Sequence, residues 1–375
     1  MKRWTNRILI LFFTAALAAP AVWGFLAPPD EGRCEFENRR AASFPSLSCT
    51  TESIRRFPNR FEAWFNDRLP FREELLQVHS EWKVNQLGVS SSDKVILGRD
   101  GWLFLDEEKS ESTARSRTPN EQAKLWRDAL VRRRNWLADR GIRYLIVITP
   151  EKHSVYPELL PTALQSVRQT SASEMLLSDL ANTGLEIIDL VPALKTAKSD
   201  RPVFLQTDTH WNDDGAYVAY REIVGRLAQT WPEMKAYERT SFEIAKQAHS
   251  GDLLRMLHLA KPAAEQTERL RLRSPQAHRL PEVIALDPRL HSPQNLPPQA
   301  WGRPGSGLPR AVIFHDSFTE RLLLPTLAEH CSVLAYVPSA SFIPEIVEQF
   351  QPQIVIQQIV ARKLNWHVPV DPRGF

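Results

Sequence analysis

Two hydrophobic periods alternate along this chain. Tyr144-Leu-Ile-Val-Ile-Thr149 is an apolar run closed by Pro150, the pattern of a strand covered on both faces. Similar runs stand at residues 185–190, 311–314, 332–337 and 354–360. Between them the spacing turns helical. Leu125, Trp126, Ala129, Leu130 and Leu137 share one face, with Gly141 as a stop. Residues 174–182, 216–230 and 318–330 also read as helices. Strands alternating with helices predict an α/β fold, a mostly parallel central sheet with helices on both faces. Residues 51–90 predict helices of their own, with Phe57, Phe61, Trp64 and Phe65 at helical spacing. From 262 to 309 the rhythm breaks into Pro, Arg and Gln, which predicts an irregular insertion over the sheet edge. Arg132-Arg133-Arg134 reads as a solvated helix face, and Trp211 as core rather than a sugar platform.

The N-terminus adds a compartment. Lys2, Arg3 and Arg7 precede an uncharged stretch, residues 8–26, which is 19 residues long and near the minimum for a membrane-spanning helix. Basic residues before it and Asp30 and Glu31 after it place the bulk of the chain outside the cytoplasm. Ala16-Leu17-Ala18 supports the rival reading, a cleaved signal peptide, and Pro20 just beyond it favours a retained anchor. The expected organisation is therefore an anchor or signal peptide over 1–27, a connecting segment over 28–56 and a catalytic domain over 57–375. Outside the cytoplasm, Cys34 and Cys49 can bridge, stabilising the connecting segment by roughly 3 kcal/mol. Cys331 reads as a buried free thiol.

Composition narrows the function classes. Of 375 residues, 43% are hydrophobic and 24% charged, ordinary globular usage. A net charge of +3 lacks the basic excess of a nucleic-acid binder.

Two segments carry chemistry. Thr207-Asp208-Thr209-His210-Trp211-Asn212 is a polar cluster leading into a helix, and His315-Asp316-Ser317-Phe318 directly follows a strand. In open α/β sheets, ligands bind beyond the carboxyl ends of the strands. A serine there needs a base, most often a histidine oriented by a carboxylate. Asp208 and His210 supply both, so Ser317, His210 and Asp208 suffice for acyl transfer without a cofactor. Plainer readings stand beside this one. Ser317-Phe-Thr-Glu320 matches a capping box, so Ser317 can simply cap its helix. Asp208-x-His210 can cap a helix or bind a metal, although no second cluster has ligand spacing.

Six segments in order resemble one family. They are Asn66-Asp-Arg-Leu-Pro-Phe-Arg72, Gly98-Arg-Asp-Gly-Trp-Leu-Phe104, Thr149-Pro-Glu-Lys-His-Ser-Val-Tyr-Pro-Glu158, Asp208-Thr-His-Trp-Asn212, Gly251-Asp-Leu253 and Asp316-Ser-Phe318. Together they are similar to the SGNH-hydrolase-like alginate O-acetyltransferases of the AlgJ and AlgX type. The chain ends soon after the last expected strand, which places it nearer the AlgJ type. The resemblance implies an SGNH-like three-layer sandwich behind an N-terminal membrane anchor, working on the periplasmic side of the bacterial inner membrane. It implies Ser317 as nucleophile, His210 as base and Asp208 as orienting acid. The implied partners are a polysaccharide acceptor and a membrane-bound O-acyltransferase that delivers the acetyl donor. The sequence departs from the family pattern at His315, where glycine is usual, and at Ala361-Arg362, where Glu-Arg is usual. A side chain at 315 is expected to crowd the turn. Lys152 and Tyr156 stand between groove-lining and structural roles. Two other functions share these residues, a carbohydrate acetylesterase and a non-catalytic scaffold of an acetylation complex.

Overall fold

The computed structural model describes residues 2–26, 41–46, 48, 50–69, 71–106, 118–165, 172–180, 183–259, 265–280, 299–320, 322–339, 341–367 and 369. Two compact units divide it: Met1–Ser91 with Leu257–Leu259, and Ser92–Met256 with Ala260–Phe375.

The first unit is helical, with α1 Lys2–Leu26, α2 Thr51–Asn66 and α3 Arg72–Leu87. Helix α2 starts where the Thr50 side chain accepts from the Ser53 N–H. Its rings stack at four-residue intervals, Phe57 on Phe61 and Phe61 on Phe65, as i and i+4 neighbours must. Trp64 is buried against Phe44, and the Arg68 guanidinium lies over its ring. The expected membrane stretch is helical. It includes residues 16, 17, 20, 21 and 25, whose side chains lie outside the described residues. Among those described, no helix is long and apolar enough to cross a membrane. Cys34 and Cys49 also lie outside the described residues, so the expected bridge does too.

The second unit holds the sheet. Its strands are β1 Val95–Leu97, β2 Leu103–Leu105, β3 Arg143–Thr149, β4 Glu186–Asp189, β5 Phe242–His249, β6 Glu265–Leu272, β7 His278–Arg279, β8 Gln299–Gly302, β9 Arg310–Phe314, β10 Val333–Val337 and β11 Ile354–Val360. Seven form one sheet in the order β4-β3-β11-β9-β10-β8-β7. The first five run parallel, and β8 and β7 add antiparallel at one edge. β1 pairs with β2, and β5 with β6, as separate antiparallel ribbons.

Alternate residues of the parallel strands feed two cores, as the pleat requires. Leu145, Val147, Ile313, Leu334 and Ile356 pack against α7 Asp213–Leu227 and α8 Leu323–Ala328. Tyr144, Ile146, Val312, Ala335 and Val355 pack on the opposite face. Their partners are α4 Pro119–Ala138, α5 Ala172–Leu180 and α9 Pro344–Phe350. The result is a three-layer α/β sandwich. Further helices include α6 Val191–Ala197 and α10 Ala361–Trp366, and short helical turns span Lys152–Val155, Thr162–Gln165 and Asp252–Met256.

Three expectations need correction. The stretch read as an irregular insertion contributes β6, β7 and β8, with residues 281–298 outside the described part. The expected helix over 318–330 is shorter: a 3-10 turn spans Ser317–Thr319, and α8 runs only from Leu323 to Ala328. Arg133 is fully buried rather than solvated, with its guanidinium against the Trp126 and Phe342 rings and donating to Gln357 Oε1 at 3.2 Å. That amide oxygen also accepts from the Tyr144 hydroxyl, so the buried cation is met by a polar group in the middle of the sheet.

Helix α7 starts against a backbone turn that leaves no room for a side chain. A Cβ on Gly215 would stand 2.1 Å from the Val203 carbonyl oxygen and 2.8 Å from Trp211 Cβ, whereas a Cβ on Gly225 of the same helix meets nothing within 4 Å. Gly215→Ala is therefore expected to lower stability by about 2 kcal/mol through overpacking. Gly225→Ala should raise it by about 0.5–1 kcal/mol. Urea unfolding midpoints that move in opposite directions confirm this; equal midpoints contradict it.

Candidate active site

Polar side chains gather where the parallel strands end. β9 stops at Phe314, and Asp316 then braces the turn that follows. Its Oδ1 accepts from the Phe318 N–H at 3.1 Å, and its Oδ2 from the Val360 N–H at 2.8 Å, at the end of β11. Gln358, buried in β11, holds the same turn from the other side. Its Oε1 accepts from the Asp316 N–H at 2.9 Å and the Thr319 hydroxyl at 2.7 Å, and its Nε2 donates to Thr149 Oγ1 at 2.8 Å. Asp316, not Ser317, is thus the cap, which leaves the Ser317 hydroxyl for another partner.

That partner is His210, whose Nε2 lies 2.8 Å from Ser317 Oγ. Behind it, His210 Nδ1 stands 2.7 Å from Asp208 Oδ1. A carboxylate only accepts, so Nδ1 carries the proton and Nε2 is free to accept from the serine O–H. The chain supplies this geometry by doubling back. Phe204 bridges to Trp211, and the Leu205 N–H donates to the His210 carbonyl at 3.2 Å. Trp211 Nε1 then donates to the Phe318 carbonyl at 2.8 Å, which ties the loop to the serine turn. Trp211 is core, as read from the sequence. The structure thus brings Asp208, His210 and Ser317 together.

Asp208 is buried and saturated with donors. Its Oδ1 also accepts from the His210 N–H at 3.0 Å. Its Oδ2 accepts from His249 Nε2–H at 2.8 Å and from the Asp252 N–H at 3.2 Å. Burial alone would raise its proton affinity, but the bonds from His210 and His249 overcome this and hold it well below the usual carboxylate range. Burial likewise works against a charged His210, yet the bond to Asp208 and the charges of Asp208 and Asp252 raise its pKa above the ordinary 6.5. Asp252 is pushed up by burial and by the charge on Asp208, and it binds the Thr209 N–H at 2.7 Å and the Thr209 hydroxyl at 2.5 Å. Gly251 is needed here, because a Cβ would stand 1.9 Å from the Thr207 carbonyl oxygen. The backbone N–H of Ser317 makes no hydrogen bond among the described residues, and it borders the hydroxyl.

Asp208, His210 and Asp252 each offer a ligand atom, all within 4.8 Å of one another. A cation there would have to displace the bonds just described, so this donor set is arranged for hydrogen bonding. Lys152 and Tyr156 take structural roles. Lys152 Nζ is buried on the Leu103 carbonyl at 2.8 Å and the Gln206 carbonyl at 3.1 Å, and desolvation pushes its pKa down to about 8. The buried Tyr156 hydroxyl accepts from the Val203 N–H at 3.0 Å. His315 does not crowd its turn. It is buried, its N–H donates to the Val337 carbonyl at 3.0 Å, and its Nδ1 lies 2.9 Å from the Asp316 carbonyl. Arg362 pairs with Glu151 at 2.7 Å and lies against the Phe318 ring, linking the strand ends of β3 and β11 beside the site.

Residues 95–284, 190 of the chain's 375, match the family described as the SGNH hydrolase-like domain of acetyltransferase AlgX. The chain belongs to that family. It is 31% identical over 170 residues to the probable alginate O-acetylase AlgJ of Pseudomonas aeruginosa, covering 44% of this chain and 41% of that protein. It is 25% identical over 230 residues to the AlgJ of Azotobacter vinelandii, covering 61% and 54%. The chain thus spans about half or less of the length of these relatives. Among solved structures, Bacillus cereus PatB1 with a sulfonyl adduct superposes with a TM-score of 0.54 at 14% identity, over 73% of this chain and 100% of that one. The α/β sandwich is accordingly the SGNH-hydrolase-like fold of this family.

Sequence reasoning missed His249, Asp252, Glu265 and Gln358. Only Gly251-Asp252 carried a signal, as a motif without a role. The raised pKa of His210 has a direct consequence. A serine-directed acylating reagent should label the chain more slowly as pH falls through a midpoint above 6.5, because the imidazole then takes the proton that disarms it. Labelling rates followed across a pH series test this. A midpoint below 6.5 contradicts the coupling to Asp208.

Proposed function

We propose that this member of the SGNH-like acetyltransferase family moves acetyl groups through a serine acyl-enzyme to sugar hydroxyls of an exopolysaccharide of the alginate type. The observation that carries the reading is the alignment of Ser317 Oγ on His210 Nε2 at 2.8 Å, with Asp208 behind it. Ser317 Oγ attacks the carbonyl carbon of a donor acetyl ester as its proton passes to His210 Nε2, and Asp208 stabilises the imidazolium. The tetrahedral oxyanion is met by the Ser317 N–H. As the donor C–O bond breaks, His210 returns the proton to the leaving oxygen. A sugar hydroxyl then attacks the acyl-serine and gives its proton to His210. The ester forms on the sugar, and Ser317 recovers its proton. Water in the acceptor's place would make the same site an acetylesterase.

The reading extends to place and partners. The uncharged stretch over 8–26, with basic residues before it, supports an N-terminal anchor that holds the chain on the periplasmic side of the inner membrane. A membrane-bound O-acyltransferase would then present the donor, and the polysaccharide would be the acceptor.

Incubating the full chain with an activated acetyl ester and measuring intact mass tests the chemistry. One acetyl group should appear on the native chain and none on Ser317→Ala. Uronate oligosaccharides should then discharge the adduct and become acetylated. An adduct that persists in Ser317→Ala, or none on either chain, contradicts the nucleophile. Discharge to free acetate alone, with oligosaccharide present, favours the esterase outcome.

A further inference from the structure

The β5–β6 ribbon stands outside the main sheet, and most of β5 is exposed. One of its ends nevertheless reaches the loop that carries the base. In the antiparallel register His249 lies opposite Glu265. Glu265 accepts from the Gln206 N–H at 2.7 Å, from the Thr207 N–H at 2.9 Å and from the Thr207 hydroxyl. His249 places Nε2 2.8 Å from Asp208 Oδ2 and is itself largely covered, its side chain 11% exposed. Two facing residues of one ribbon thus grip three consecutive residues, 206–208, just ahead of His210.

We propose that His249 is a positioning residue for acyl transfer, holding the second oxygen of Asp208 so that the first stays aligned on His210 Nδ1. The inference rests on Ser317 being the nucleophile. A carboxylate turns freely about its Cβ–Cγ bond unless both oxygens are held. His210 holds Oδ1, and His249 with the Asp252 N–H holds Oδ2. The donor has a second effect. By drawing charge toward Oδ2, it weakens the pull of Asp208 on a proton at His210, which restrains the basicity of the imidazole. Removing it leaves His210 harder to keep neutral and less well oriented. The charged groups facing His210 are Asp208 in its own loop, Asp252 at the start of the short helix Asp252–Met256 after β5, and Arg362 in α10. Lys152, after β3, adds a charge that acts on Asp208. None of these is altered by changing His249.

The test uses the full chain and phenylmethanesulfonyl fluoride as a serine-directed probe, with labelling rates measured across a pH series. His249→Phe should label roughly tenfold more slowly on the alkaline plateau, the share of one charge-assisted hydrogen bond. Its acid midpoint should move upward. His249→Gln places an amide N–H where Nε2 stood and should restore most of both rate and midpoint. His249→Asn falls short of Asp208 and should behave like the phenylalanine variant, which keeps the comparison decisive if that variant fails to fold. Native rate and midpoint in the phenylalanine or asparagine variant would overturn the proposal. A slower plateau with an unmoved midpoint and no rescue by glutamine would also overturn it, by reducing His249 to packing. A Ser317→Ala control labelled as fast as the native chain would instead overturn the nucleophile itself, and so identify which reading had failed.

Discussion

A carboxylate removed from water must be surrounded by donors, and the site is organised around that requirement at Asp208. Its two oxygens take four N–H groups, from the His210 ring and backbone, the His249 ring and the Asp252 backbone. Those donors come from three chain segments: the reversal between Phe204 and Trp211, the end of β5 and the first residue of the short helix Asp252–Met256. Each donor offsets part of the cost of burying that charge. The same charge raises the proton affinity of His210, whose Nε2 faces the Ser317 hydroxyl.

The other half of the site is set by the sheet. Ser317 follows β9 and is braced from β11, where Gln358 and the Val360 N–H hold Asp316, while Gln358 also reaches Thr149 at the end of β3. Three adjacent parallel strands therefore fix one turn. Trp211 and Phe318 set the spacing between the two halves, with the indole N–H on the Phe318 carbonyl and the rings in edge contact. This apolar contact lies directly beside the Asp208–His210–Ser317 hydrogen-bond chain.

Much of this was legible in the chain. The buried parallel strands announce themselves as apolar runs, unbroken in β9 and β10 and carrying Gln357-Gln358 inside β11, because both faces of β3, β9, β10 and β11 are covered. Asp208 and His210, in a polar loop before a helix, and Ser317, after a strand, could be singled out as candidates, and the fold brings the three side chains together. The hidden parts share a physical cause. β5 buries little besides Phe242, so it shows no alternation, and it is held instead by its backbone ladder to β6. His249 and Glu265 were invisible with it. Gln357 and Gln358 stand inside the last strand, each buried with partners on opposite faces that no local pattern shows. Arg133 looked solvated because its partners come from distant strands and helices. The cap fell to Asp316 because its carboxylate reaches two backbone N–H groups, one of them on another strand, which no local motif encodes.

The central claim is that the charge on Asp208, and not its shape alone, arms His210 and Ser317. Asp208→Asn keeps the shape and removes the charge, so the acylation rate of Ser317 by an activated acetyl ester is the most direct measurement. The account predicts a loss on the order of 10⁴-fold, the scale seen when a triad carboxylate is neutralised in serine proteases, with the circular dichroism spectrum unchanged. A folded variant that acylates within a few-fold of the native rate would contradict it.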